Sequence, residues 1–402
     1  MKKTVFRFIL SVIVLTMFLP CVTVYGEGDY ASYLATGEYT GLKEYWYDSL
    51  SVGCALSSHQ IKDSKFSELV SKNFNSITCE NEMKPEALLD RVATGNADDA
   101  YRAKLHFDGA NQVLEFAAQH DIKVRAHVLV WHSQTPRWFF AEGFSWKTDA
   151  PLTDRETMLQ RMENYIHDVM DHFNTQYPGV IYAWDVVNEA IEPAGGDRDG
   201  LRTESLWYKV IGPDYIEQAF TFARKYAAPG QKLFYNDYNT CQLIKRDHIL
   251  KLLTKLKEKQ LVDGMGMQSH MGMDSPGLME FVTSVRMYSE LGLTIHLTEL
   301  DFTNEDNSTK GQMKLASRYR TIFNQVKLMK EKNGYDIENI TVWGVHDGST
   351  WLTDSKRKCY PLLFTRSLTP KPALFGAMLD TDIPLSMSDI HIREAMEKLG
   401  IE

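Results

Sequence analysis

The chain has 402 residues, a length that suits one large barrel or two ordinary domains. Apolar residues make up 44% and charged residues 24%, the balance of a soluble globular enzyme. The net charge of −9 lacks the basic footprint of a nucleic-acid binder, so no nucleic-acid partner is expected.

The first 26 residues differ from the rest. Lys2, Lys3 and Arg7 precede an apolar run over 8–19 that only Ser11 and Thr16 interrupt. Small residues before Glu27 then suit cleavage. This reads as a secretory signal peptide over 1–26, which predicts a secreted, extracellular protein with no stable membrane association. The run is shorter than the roughly 20 apolar residues of a spanning helix. An uncleaved anchor is the competing reading. Lipid attachment at Cys21 is disfavoured by Pro20 just before it. Cys54, Cys79, Cys241 and Cys359 form no C-x-x-C pair, so neither a zinc knuckle nor a redox motif is expected. Export permits disulfides, and the sequence leaves their pairing open.

Residues 27–48 are rich in Tyr and Gly, have no clear period, and read as a lead-in packed on the outside of the domain. From residue 52 onward, short apolar runs alternate with stretches of helical period. The runs are 52–56, 76–79, 124–130, 182–187, 232–235, 264–268, 294–298 and 340–345. Amphipathic stretches between them include 158–173, 215–226 and 248–257. Eight strand signals, each followed by a helix signal, predict an α/β fold of the (β/α)₈ TIM-barrel type. The expectation is a single catalytic domain over 27–402. An open doubly wound sheet is the runner-up, but no G-x-G-x-x-G follows the first run.

Active groups of such a barrel project from the C-terminal ends of its strands. The second run delivers Glu80, Asn81, Glu82 and Lys84; the third, His127, Trp131, His132 and Gln134. The fourth ends in Asp185, Asn188 and Glu189, and the fifth in Asn236, Asp237 and Tyr238. Gln268 and His270 follow the sixth, Glu299 and Asp301 close the seventh, and Trp343, His346 and Trp351 follow the eighth. Each residue alone has a structural explanation. Glu82 suits an ion pair, His132 and His296 suit hydrogen-bonded framework roles, and Asp185 and Asp301 suit the orienting of neighbours. Seven polar, acidic and aromatic clusters at one rim exceed what a folding core needs, because buried charge is costly unless paired.

Glu189 and Glu299 each end an apolar strand. Cleavage of a glycosidic bond needs two carboxyl groups, one protonated to assist the leaving oxygen and one ionised. Asn188 is placed to donate to a sugar hydroxyl, and Trp131, Trp343 and Trp351 offer flat faces for pyranose rings.

The runs Glu80-Asn81-Glu82-Met83-Lys84, His127 to Gln134, Trp184 to Ala190, Gln268-Ser269-His270 and Thr298 to Asp301 resemble glycoside hydrolase family 10. So do Trp343-Gly344-Val345, Trp351 and Pro361-Leu362-Leu363-Phe364. The resemblance covers about 52–372. It implies a barrel that cuts internal β-1,4 bonds of xylan with retention. It places the acid/base at Glu189 and the nucleophile at Glu299. Contacts to the sugar beside the scissile bond fall on His127, Asn188, Gln268 and His270, with Trp343 and Trp351 covering the ring and Trp131 as a wall. More distal contacts fall on Glu80, Asn81, Lys84 and Gln134, and Tyr238 stands on the leaving-group side. Xylan and xylo-oligosaccharides are the implied partners. No cofactor and no metal are expected; a monomer is the expectation, although the sequence does not fix the oligomeric state. Pro85 after Lys84 and the run His346-Asp347-Gly348-Ser349-Thr350 depart from the family pattern. The alternatives are a cellulase-like specificity, a metal-dependent barrel hydrolase and a barrel that only binds polysaccharide.

Overall fold

The computed structural model describes residues 30–95 and 98–385. The signal peptide assigned to 1–26 lies outside the described residues. Nine strands form in chain order: β1 (Ser51–Leu56), β2 (Ser76–Cys79), β3 (Lys123–Trp131), β4 (Ile181–Asn188), β5 (Lys232–Asp237), β6 (Gly264–Met267), β7 (His270–Gly272), β8 (Thr294–Thr303) and β9 (Ile337–Val342). All pair in parallel, in the order β6-β5-β4-β3-β2-β1-β9-β8-β7. A further pairing of β6 with β8 closes eight of them into a barrel, and the doubly wound alternative falls away.

The eight expected runs fall on the eight barrel strands. The ninth strand was not anticipated. After β6 the chain turns at Ser269, whose φ is +62°, and β7 then lies along the outer end of β8, pairing His270 with Asp301. Three residues carry no readable period.

Helices cover the outside. Arg155–Gln176 contains the predicted 158–173 stretch. Asp154 caps it by accepting from the Thr157 N–H, and Met158, Met162, Ile166, Val169 and Phe173 face inward at helical spacing. Tyr215–Tyr226 matches its prediction, and Leu243–Glu258 contains 248–257.

The lead-in is not merely external. It forms helices at Tyr30–Thr36 and Leu42–Tyr45, and Leu42 and Trp46 are buried. The Trp46 indole N–H donates to the Ala377 carbonyl at 2.9 Å. Tyr30, Tyr33 and Tyr39 gather around Phe375. The segment thus clasps the last described helix, Pro372–Ala377, through aromatics whose spacing follows no regular period.

The barrel interior is packed, and part of it is polar. Gly264 and Gly266 leave room that side chains fill: a Cβ on Gly264 would sit 2.2 Å from the Phe234 ring. Arg125 and Asp185 form a buried bidentate pair. Arg125 Nε also donates to Nδ1 of His296 at 3.2 Å, so His296 is the framework residue expected of it. The four described cysteines are free thiols.

Candidate active site

The rim at the strand C-termini is where the backbone departs from ordinary geometry. Gln134, Glu189, Asn239 and Ser269 follow β3, β4, β5 and β6, and all four have φ between +46° and +62°. Non-glycine residues avoid this left-handed region, so its repeated use at one rim marks a site that the surrounding structure over-determines. β3 also carries a cis peptide at His127–Val128.

Glu299 sits within β8, 5% exposed. One carboxylate oxygen accepts from Asn236 Nδ2 at 2.8 Å and the other from His270 Nε2 at 3.1 Å. Burial alone would raise its pKa. The His270 hydrogen bond, the nearby His127 and the Asn236 amide overcome that and hold it below the ordinary carboxylate value. His270 in turn donates from Nδ1 to Asp301 at 2.9 Å. Burial pushes the imidazole down, but Asp301 and Glu299 prevail and raise its pKa to about 10. Asp301 is fixed from the other side by the Trp351 indole N–H at 2.7 Å. A chain of contacts thus runs from an exposed indole to the ionised carboxylate.

Glu189 stands one residue past β4. Its backbone N–H donates to the Asn236 carbonyl at 2.9 Å, and its carbonyl accepts from Arg202 Nε at 3.2 Å. Its carboxylate accepts from the Trp131 indole N–H at 3.0 Å and from Gln268 Nε2 at 2.9 Å. The Asn188 amide lies against those of Asn236 and Gln268, at 3.0 and 3.1 Å. His127 Nδ1 is bonded to Asp185 at 2.8 Å, which sets the ring's orientation toward the cleft. Asp185 keeps a lowered pKa despite burial because Arg125 and His127 face it.

Lys84 is 8% exposed, donates to Asn81 Oδ1 at 3.0 Å and lies 5.2 Å above the Trp131 ring. Burial lowers its pKa, against the pull of Glu299, Glu80 and Glu189. Burial raises that of Glu80. Tyr238 is held by Glu192 at 3.1 Å and Arg202 at 3.2 Å through its hydroxyl, with Lys245 Nζ 3.3 Å above the ring.

One cleft collects Glu80, Asn81, Lys84, His127, Trp131, Asn188, Glu189, Tyr238, Gln268, His270, Glu299, Trp343 and Trp351. Gln134 alone of the predicted site residues is not among its lining. Its carbonyl accepts from the Glu86 N–H at 2.8 Å, and so fastens the turn that opens helix Pro85–Leu88. Asn239 lines the cleft and was not anticipated. Nor was the part played by Asn236, although its place at the end of β5 is the same signal that found the others.

Two framework expectations change. Glu82 makes no ion pair among the described residues; its carboxylate accepts from the backbone N–H groups of Ser58 and Asn81. His132 is not tied down at Nδ1, which has no hydrogen-bond partner among the described residues and lies 4.0 Å from Glu189 Oε2. Burial, with Arg202 nearby, lowers its pKa to about 4, so the ring is neutral at ordinary pH. Among the described residues no group of His, Cys, Asp and Glu is arranged to hold a metal ion.

A parallel eight-stranded barrel with two carboxylates facing one aromatic-walled cleft is the arrangement of a glycosidase-type site. The chain matches the model of glycosyl hydrolase family 10 over residues 41–380 and belongs to that family. It is 43% identical over 341 residues to endo-1,4-beta-xylanase B of Butyrivibrio fibrisolvens, which covers 84% of this chain and 52% of that protein. It is 39% identical over 363 residues to endo-1,4-beta-xylanase A of Thermotoga maritima, covering 89% of this chain and 32% of that one. The chain therefore spans about half, or less, of the length of these relatives. Among solved structures, it resembles the CBM22-1–GH10 modules of a Clostridium thermocellum endo-1,4-beta-D-xylanase complexed with xylohexaose. The TM-score is 0.77 at 34% identity, covering 86% of this chain and 68% of that one. An intracellular xylanase of Thermoanaerobacterium saccharolyticum, complexed with xylotriose, gives a TM-score of 0.72 at 34% identity, covering 84% of this chain and 97% of that one.

Proposed function

We propose that this chain is a secreted endo-1,4-β-xylanase that hydrolyses internal xylosidic bonds with retention of configuration. The observation that carries the reading is the contrast between two carboxylates in one cleft. Glu299 is buried and held ionised by His270 and Asn236, as a nucleophile requires. Glu189 is the more exposed, stands at the strand end facing the same cleft, and has the neutral donors Trp131 and Gln268 at hydrogen-bond distance.

In the first step Glu299 attacks the anomeric carbon while Glu189 protonates the departing oxygen, giving a covalent glycosyl-enzyme. In the second, Glu189 removes a proton from water, which attacks the same carbon and releases Glu299. Asn188, His127 and Gln268 supply hydrogen bonds to ring hydroxyls, and those that tighten in the transition state accelerate the reaction. Trp343 and Trp351 wall the ring and, with Lys84, crowd the region where a hydroxymethyl group would project. A pentose fits there better than glucose, and the clash sets selectivity. The names of the relatives and the leader-like residues 1–26 support the substrate and the export.

The test is release of reducing sugar from xylan and from carboxymethylcellulose, with ¹H NMR of the first-formed anomer. Mixed xylo-oligosaccharides of β configuration, with little product from the cellulose, are expected. An α-anomeric first product would overturn retention, and equal rates would overturn the specificity.

A further inference from the structure

The chain is acidic overall, yet the loop after β9 carries Lys356, Arg357 and Lys358 in succession, with Arg366 further on. All four are exposed. This loop walls two concavities. Trp351 faces the cleft already described, whereas Thr353, Lys358, Thr365, Arg366 and Ser367 line a separate basin closed by Asn307.

The charges of the basin do not cancel. Asp347 also lines it, but its carboxylate is bonded to Lys371 Nζ at 2.7 Å and accepts the Leu362 N–H at 2.9 Å. Lys371 and Asp347 are a closed, buried pair. Asp354 and Asp306 are turned into their own turns, accepting from the backbone of Lys356, Arg357 and Ser308. Lys358 and Arg366 have no described carboxylate within 4.0 Å. Two cations without a described carboxylate partner therefore stand over a basin that also presents Tyr360, Thr365, Ser367 and the Asn307 amide, the Thr353 hydroxyl being engaged with the Cys359 backbone. This is a donor set for a carboxylate attached to a hydroxyl-bearing ring.

We propose that this basin binds an acidic side group, a uronic acid, borne by the polysaccharide whose backbone occupies the neighbouring cleft. The proposal rests on the xylanase reading above. A β-1,4-xylan backbone is neutral, so carboxylates enter it only as substituents. A site for them on the loop that also presents Trp351 makes decoration a positive recognition element.

The experiment compares kcat/KM on glucuronoxylan with that on the same polymer after reduction of its carboxyl groups to alcohols. It uses the full chain and the double variant Lys358→Ala/Arg366→Ala. Exposed ion pairs are individually weak, so the acid-to-neutral ratio is expected to fall about fivefold in the variant. In the parent protein the same ratio is expected to fall in about 0.5 M salt, where exposed charges are screened. A ratio equal in variant and parent overturns the proposal. Failure of the parent protein to cleave either polymer overturns the xylanase reading itself, and is seen before any variant is compared.

Discussion

Glu299 lies inside a regular strand, whereas Glu189 lies one residue beyond the end of another, in a left-handed conformation. The Glu299 side chain is 7% exposed and that of Glu189 15%. Glu299 is gripped by a histidine that stays charged; Glu189 meets two neutral donors. The difference teaches how one rim serves two tasks. A group that must remain ionised is built into the sheet and surrounded by fixed hydrogen bonds. A group that must change its charge twice per turnover is set at the edge of the sheet, where it is more open to the cleft.

The comparison can be broken most sharply at the buried carboxylate. Glu299→Ala is expected to lower kcat on xylohexaose by roughly 10⁴-fold or more, since no other carboxylate is placed to attack. Activity within tenfold of the parent would sink the assignment. Glu189→Ala should cost about 10²- to 10⁴-fold on xylan but far less on aryl xylosides with activated leaving groups, whose departure needs little protonation. Equal losses on both substrates would remove the distinction between the two residues.

A smaller effect tests the grip on Glu299. The raised pKa of His270 stabilises the fold fully below its ordinary value of 6.5, and the contribution disappears as pH rises through about 10. The lowered pKa of Glu299 acts in the opposite window, stabilising above the ordinary 4.5 and fading as pH falls through its depressed value. Asp301→Asn removes the larger support of the imidazolium. Thermal melts between pH 6 and pH 10 are expected to lose their decline on the alkaline side, and the imidazole signal in NMR to titrate lower. An unchanged titration would show that Asp301 does not govern His270. Least costly is Trp131→Phe, which keeps the ring but deletes one donor to Glu189. A drop in kcat of about tenfold is expected, from loss of one hydrogen bond to a charged group. A larger change in KM than in kcat would assign Trp131 to binding alone.

Much of this was legible in the sequence because a barrel converts strand ends into one rim. Residues as distant as Glu80 and Trp351 come together for that reason, and finding the apolar runs was enough to find them. What was not legible depends on register or on contact. The Arg125–Asp185–His127 assembly requires knowing which inward positions of β3 and β4 face each other. The clasp made by Trp46 and its tyrosines has no period to betray it. His132 and Glu82 were assigned partners of the right kind, but burial and local turns decided otherwise. Gln134 follows the end of β3 by three residues, yet the turn at +46° puts its carbonyl, not its amide, to use.

The described cysteines have one more consequence. Cys54 and Cys79 are enclosed by the barrel, and burial drives their pKa well above that of a free thiol; Cys241 is driven to about 11. The reactive form of cysteine is the thiolate, and here it is scarce at any working pH. The four described thiols are free, so the described fold does not rest on a disulfide. The barrel is expected to assemble equally well in a reducing cytoplasm and in an oxidising medium, and to tolerate dithiothreitol without loss of structure.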